Sequence, residues 1–152
     1  MQEKAKVVRW LSAIPVAVFS LAAVSAPAAW ASESGPRDVI SSYYSLINQH
    51  NYRAAFRLWA IREDGTNGAG QNEAQFAAGF RQTRGVSARV GAEGESDGAA
   101  GTIYVPVQVR VTARLASGRT QTFTGQYTLR KSNVEGGDRH WKIHSAKLVQ
   151  LR

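Results

Sequence analysis

Between Ile103 and Leu115 every second residue is apolar: Ile103, Val105, Val107, Val109, Val111, Ala113 and Leu115 share one parity, while Tyr104, Pro106, Gln108, Arg110, Thr112 and Arg114 take the other. Successive side chains of a strand point to opposite faces, so this repeat specifies a long strand with one buried face. Pro106 has no N–H to give to a ladder, which points to an edge position or a bulge there.

The neighbouring segments continue the theme. After a Ser117-Gly118 turn, Phe123, Gly125, Tyr127 and Leu129 alternate with Thr122, Thr124, Gln126, Thr128 and Arg130. Upstream, Val86, Ala88, Val90 and Ala92 alternate with Ser87, Arg89, Gly91 and Glu93, and Ser96-Asp97-Gly98 reads as the turn between this strand and the long one. A loop from Ser132 to Asp138 leads to a last strand, in which Trp141 and Ile143 share one parity and Ala146 and Leu148 the other. That change of parity predicts a bulge near Ser145.

The part of the chain ahead of these strands is mostly helical by the same kind of argument. Val39, Ile40, Tyr43, Leu46 and Ile47 recur at helical spacing after Pro36, with Asp38 in the first turn, which predicts a helix from about Pro36 to Gln49. Asn51 is placed to cap a second helix carrying Tyr52, Ala55, Phe56 and Trp59, and Asn72 a third from about Glu73 to Arg81 carrying Phe76, Ala77 and Phe80. Between them Arg62 to Gln71, with its Asp-Gly and Asn-Gly steps, reads as an exposed, mobile loop. Helices followed by meandering strands define an α+β class, with three N-terminal helices packed on one face of a mostly antiparallel four-stranded sheet.

Ahead of all this lies a segment of different character. Lys4, Lys6 and Arg9 precede an uncharged, Ala/Val/Leu-rich run from Leu11 to Ala28, closed by Ala29-Trp30-Ala31. This is the pattern of a cleavable secretory signal peptide, and we expect cleavage near Ala31/Ser32, export to the periplasm or beyond the cell, and one domain from residue 32 to 152. An uncleaved signal would be the chain's one route to the membrane, and Pro15 together with the Ala-Trp-Ala site argues against it.

Removing residues 1–31 from the 152 leaves 121, the size of one domain. It also removes three of 19 basic and one of 11 acidic residues, so the charge falls from +8 to +6. The remaining arginines are dispersed, with Arg130-Lys131 adjacent, and such a pattern in an exported chain reads as a solubilising surface, with no nucleic-acid partner. With no cysteine, the domain holds together without disulfides.

The stretch from Val39 through Ser41-Ser42-Tyr43-Tyr44, His50-Asn51-Tyr52 and on to Phe56, with the closing Trp141-Lys142-Ile143 strand, resembles the nuclear-transport-factor-two-like superfamily, also called SnoaL-like or ketosteroid-isomerase-like. The resemblance implies a sheet curled into a cone around the helices, and it implies function poorly, because the fold hosts many unrelated sites. Exported members of this superfamily are accessory or assembly domains in many cases.

Enzymatic members place acids, tyrosines or arginines inside the cone, but here the inward parity of the long strand contains no titratable residue and its partner offers Tyr127. No catalytic residue and no cofactor is therefore expected; of the acids beside the glycine-rich loop, Asp64 is the one to test as a base. His140 and His144, four apart on a strand, are separated by more than about 12 Å, which leaves no metal site. Two surfaces remain. Tyr44, Phe56, Trp59, Asp64, Phe80 and Tyr127 would line the cone against a small apolar ligand, although helical spacing favours a closed core for the aromatics. Arg110, Arg114, Thr124, Gln126 and Arg130 would display a polar sheet face to a second copy or an envelope protein partner, if it is not simply solvated. The leading expectation is a non-catalytic binding or assembly domain that self-associates through this face; the alternatives are an apolar-ligand binder or isomerase/lyase-type enzyme using the cone, and a membrane-anchored subunit of an envelope complex.

Overall fold

Strand order follows chain order across the sheet. The structure, a computed structural model, describes residues Glu33 to Arg152; the expected signal segment and its cleavage point lie outside the described residues. Three helices, α1 (Pro36–Asn48), α2 (Tyr52–Phe56) and α3 (Glu73–Ala78), precede β1 (Thr83–Glu93), β2 (Asp97–Ala99), β3 (Thr102–Leu115), β4 (Thr120–Ser132) and β5 (Lys142–Leu151). The antiparallel sheet runs β1-β3-β4-β5, with β2 also paired to β3. No described helix is long and apolar enough to cross a membrane.

The class is α+β, as the sequence patterns imply, with two adjustments to the strands. β1 and β2 lie end to end along the same edge of β3: Glu93 pairs with Val107, and after a break Asp97 pairs with Tyr104. The expected Ser96-Asp97-Gly98 turn is thus partly strand, and the chain reverses instead at Ala100-Gly101, both with positive φ (46° and 83°), the geometry of a two-residue hairpin loop. Pro106 occupies a central strand, not an edge. Its carbonyl accepts from Gly94 N–H at 2.7 Å, so its N–H-less nitrogen faces the gap between β1 and β2, where a ladder donor is not required.

On β5 the bulge is where the parity change places it: Thr128 pairs with Ser145 but Leu129 with Ile143, leaving His144 over. Such extra residues bend a strand and curve the sheet. Gly125, at φ 154°, lets β5 come close to β4, since a Cβ there would overlap the Lys147 carbonyl oxygen.

The helices differ more. Pro36 opens α1, and Asp38 Oδ2 accepts from Gly35 N–H at 2.9 Å. The helix ends on His50, left-handed at φ 57°, with His50 N–H donating to Ile47 and Asn51 N–H to Leu46, the paired bonds of a Schellman termination. Asn51 and Asn72 cap α2 and α3 through side-chain oxygens accepting from Ala54 and Gln75. Both helices stop early. Trp59, expected on α2, sits beyond it in a parallel bridge to Ile143, where Ile143 N–H donates to Leu58 and Ala60 N–H to Ile143, each at 2.8 Å. α3 ends at Gly79 rather than Arg81.

The core lies between α1 and the concave face of the sheet. Val39, Ile40, Tyr43, Tyr44 and Ile47 of α1 meet Val105, Val107, Val109 and Val111 of β3, Tyr127 and Leu129 of β4, and Ile143 of β5, all buried. Val107, Leu129 and Ile143 are wholly excluded from solvent; full burial of side chains this size stabilises by about 1.5–3 kcal/mol each.

Candidate functional site

Tyr43 and Tyr44 are neighbours in sequence, yet both face the sheet, because the α1 stripe is wide enough to include both. Tyr127 reaches up from β4 between them. The Tyr44 and Tyr127 hydroxyls lie 2.6 Å apart, either serving as donor. The Tyr43 ring stands 5.0 Å from Tyr44 and 6.0 Å from Tyr127, edge to face in both cases. Trp59 closes the group, 6.2 Å from Tyr43 and 6.3 Å from Tyr127. Its indole nitrogen is buried and, among the described residues, meets no partner in hydrogen-bond geometry, although Tyr43 is beside it.

This cluster is not sealed on all sides. A cleft of about 370 Å³ opens where β3 ends and β4 begins, walled by Phe80, Val86, Val111, Ala113, Phe123 and Leu148, with Tyr43, Tyr44 and Tyr127 at its inner end. Its walls are apolar apart from Thr83, Gln121 and the phenols, and no carboxylate, histidine or lysine lines it.

The phenols are held protonated. Burial above all raises the Tyr44 pKa well beyond its ordinary value, against the lowering by its bond to Tyr127. Burial likewise raises Tyr43, helped by Tyr127, and raises Tyr127, helped by Tyr44. Near neutral pH the cluster is thus a set of neutral O–H groups that donate and accept hydrogen bonds, and no member serves as a base.

Of the cone-lining candidates, Tyr44 and Tyr127 come together as the polar end of the cleft, and Phe80 forms a wall while stacking on Tyr52 at 5.5 Å. Phe56 and Trp59 belong to the packed core, Phe56 against Phe76 at 5.5 Å. Asp64 is elsewhere, fully exposed on the loop after α2, where its carboxylate accepts from the Thr66 hydroxyl at 2.6 Å and the Thr66 N–H at 2.9 Å. Those bonds lower its pKa, the opposite of what a general base requires.

Part of the loop is packed where an exposed one was expected. Asn67 is completely buried, its side-chain oxygen accepting from Ala69 and Gln71 N–H at 3.0 Å each. Gly68 abuts β5 so closely that a Cβ would overlap the His144 carbonyl oxygen.

The sheet-face candidates lie where alternation put them, on the convex side. Arg110 stands opposite Arg89 and Thr124, Arg114 opposite Thr120, and Gln126 accepts from Gln108 at 3.1 Å. Arg130 is at the far end of β4, opposite Lys142. His140 Nδ1 is 2.9 Å from Asp138, whereas His144 packs on Tyr104 at 5.2 Å. No group of three metal-binding side chains exists among the described residues. The residue that sequence reasoning missed is Tyr43; its adjacency to Tyr44 within the α1 stripe was the available signal.

No protein-family model and no curated protein matches the chain. Solved structures do. A candidate aromatic-ring hydroxylase from Novosphingobium aromaticivorans superposes with a TM-score of 0.54 at 16% identity, covering 76% of this chain and 86% of that one. A candidate scytalone dehydratase from the same organism gives 0.52 at 14%, covering 75% and 80%. A nuclear-transport-factor-two-like superfamily protein from Salmonella enterica gives 0.50 at 14%, covering 74% and 86%. At this identity the likeness establishes the fold, which is nuclear-transport-factor-two-like, and leaves the activity to the site.

Proposed function

We propose that this nuclear-transport-factor-two-like domain binds a small, mainly apolar ligand in the cleft that ends on Tyr44 and Tyr127. The carrying observation is a pair of buried, protonated phenols at the inner end of an apolar cavity. Such a site suits a molecule with a hydrophobic body and one oxygen or nitrogen that exchanges hydrogen bonds with the phenols, since apolar walls supply area and a few polar groups orientation. The absence of a titratable base from the cleft lining supports binding without catalysis. The domain acts after export, with residues 1–31 removed, which N-terminal sequencing of the mature protein checks.

Native mass spectrometry of protein from its own host tests the reading. A co-purifying mass is expected that Ala113→Trp, which fills the cleft mouth, abolishes, and that Tyr127→Phe weakens roughly tenfold, the worth of about one hydrogen bond. If no mass is retained and no fluorescence titration with hydroxylated aromatic compounds saturates, the cleft is not a ligand site.

Self-association through the convex sheet face is the second reading. It is favoured by Val149 and Leu151, which are 67% and 40% exposed and sit beside Thr124 and Thr122 on that face. A dimer in sedimentation that dissociates on Val149→Asp with Arg110→Glu would support it; a monomer at all concentrations would rule it out.

A further inference from the structure

A second cleft, of about 600 Å³, lies at the other end of β3 and β4 from the mouth of the apolar cleft, with Trp59 of the phenol cluster in its lining. Its walls come from the start of β3, the end of β4, the loop into β5 and the segment after α2. Four cationic residues line it, Arg57, Arg130, Lys131 and Lys142, against one carboxylate, Asp138. We propose that this cleft binds a phosphoryl group, carried either by a small soluble compound or by a lipid headgroup.

The charges within it are only partly neutralised. Asp138 is committed to His140, accepting from its backbone N–H at 3.0 Å and lying 2.9 Å from its ring nitrogen. Lys131 turns its ammonium away from the cleft, meeting Glu33 at 3.3 Å and resting 4.9 Å above the Trp141 ring, and neither of these residues lines it. Among the described residues, neither Arg57 nor Arg130 has a carboxylate within ion-pair distance.

Like charges gathered in a concavity repel each other and focus a positive field, which a bound anion relieves. The Lys142 ammonium donates to the Arg57 carbonyl at 2.9 Å, which ties the segment after α2 to β5 and so fixes the cleft's width. Two guanidinium groups favour an anion with several oxygens in a fixed array, because each fork can engage two of them. Hydroxyls of Thr102 and Ser132 stand on the same wall as further donors. A phosphoryl group, whose unesterified oxygens splay tetrahedrally, matches that donor set better than the coplanar pair of a carboxylate.

The experiment is a titration of the purified protein with inorganic pyrophosphate, followed by amide chemical shifts, beside sedimentation with vesicles of phosphatidylglycerol or phosphatidylcholine. Saturable shifts centred on residues 57–61, 130–132 and 138–142 are expected, with affinity at least tenfold weaker in Arg57→Gln/Arg130→Gln. The Arg89→Gln/Arg119→Gln variant removes the same charge away from the cleft and is expected to bind as the unaltered protein does. Vesicle binding that requires phosphatidylglycerol and is lost in the Arg57/Arg130 variant, without pyrophosphate binding, identifies a lipid headgroup as the source. Equal weakening in both variants, shifts centred elsewhere, or no saturation with either probe would overturn the proposal. Because the wild-type shift map locates the site by itself, the result does not depend on the variants folding.

Discussion

The hydroxyls of Tyr44 and Tyr127, 83 residues apart in the chain, meet at 2.6 Å between α1 and β4. Each satisfies the other in a setting that offers them few alternatives, so the pair joins helix to sheet by the one polar contact within an otherwise aromatic cluster.

Removing either hydroxyl leaves its partner buried and under-satisfied. Tyr44→Phe and Tyr127→Phe are each expected to destabilise by about 1–2 kcal/mol, and the double variant by less than their sum, with a coupling of about 1 kcal/mol. Urea denaturation of the four proteins gives the cycle; strict additivity would show that the pair does not interact.

The same phenols set an alkaline limit. Tyr43, Tyr44 and Tyr127 have pKa values raised above the ordinary 10.0 on folding. The unfolded chain loses these protons first, so their contribution is complete below about pH 10 and declines as pH rises through the higher folded values. Thermal melts should therefore lose stability above pH 10, more shallowly in Tyr127→Phe, and in a Tyr52→Phe/Tyr104→Phe background the phenolate absorbance of the three buried tyrosines should rise together with unfolding rather than ahead of it.

Among the described residues, two non-glycine positions hold left-handed backbone, His50 at φ 57° and Ala100 at φ 46°. His50→Gly and Ala100→Asn, the latter completing an Asn-Gly hairpin loop, are each expected to stabilise by about 0.5–1 kcal/mol. Melting temperatures check the sign, and a drop in both would mean that the present side chains contribute more than the backbone strain costs.

Gly68→Ala tests whether the loop after α2 is truly docked. The new methyl would meet the His144 carbonyl, backbone that cannot swing aside. A loss of about 2 kcal/mol or more is expected, with amide exchange accelerating at residues 67–71, whereas Gly70→Ala, where a Cβ meets nothing, is strained by its φ of 75° alone and should cost less.

The sheet and the first helix were legible because their signals are local. The parity of Ile103 to Leu115 names the inward face of β3 directly, and the parity change between Ile143 and Ala146 marks the His144 bulge. What escaped depends on distant partners. Trp59 continues the spacing of Tyr52 and Phe56, but Ile143, 84 positions later, decides where it sits. The Asn67 loop has a composition that reads as mobile, and only the approach of β5 and its own internal bonds hold it. The cleft was half visible: Tyr127 could be read from the parity of β4, whereas the part played by Tyr43 and the open mouth could not.

The Trp59–Ile143 bridge also bears on how the molecule assembles. Every pairing within the sheet joins strands adjacent along the chain, apart from the short β2 detour, so each hairpin closes over a short loop at small entropic cost. The bridge spans most of the domain and completes only once β5 has been laid down. A contact of that sequence separation is expected to form after the folding transition state, so trimming Ile143 to Val should speed unfolding and leave the refolding rate nearly unchanged, as stopped-flow refolding and unfolding would check. The lifetime of the native state, more than the ease of reaching it, is then set where the last strand clasps the segment after α2.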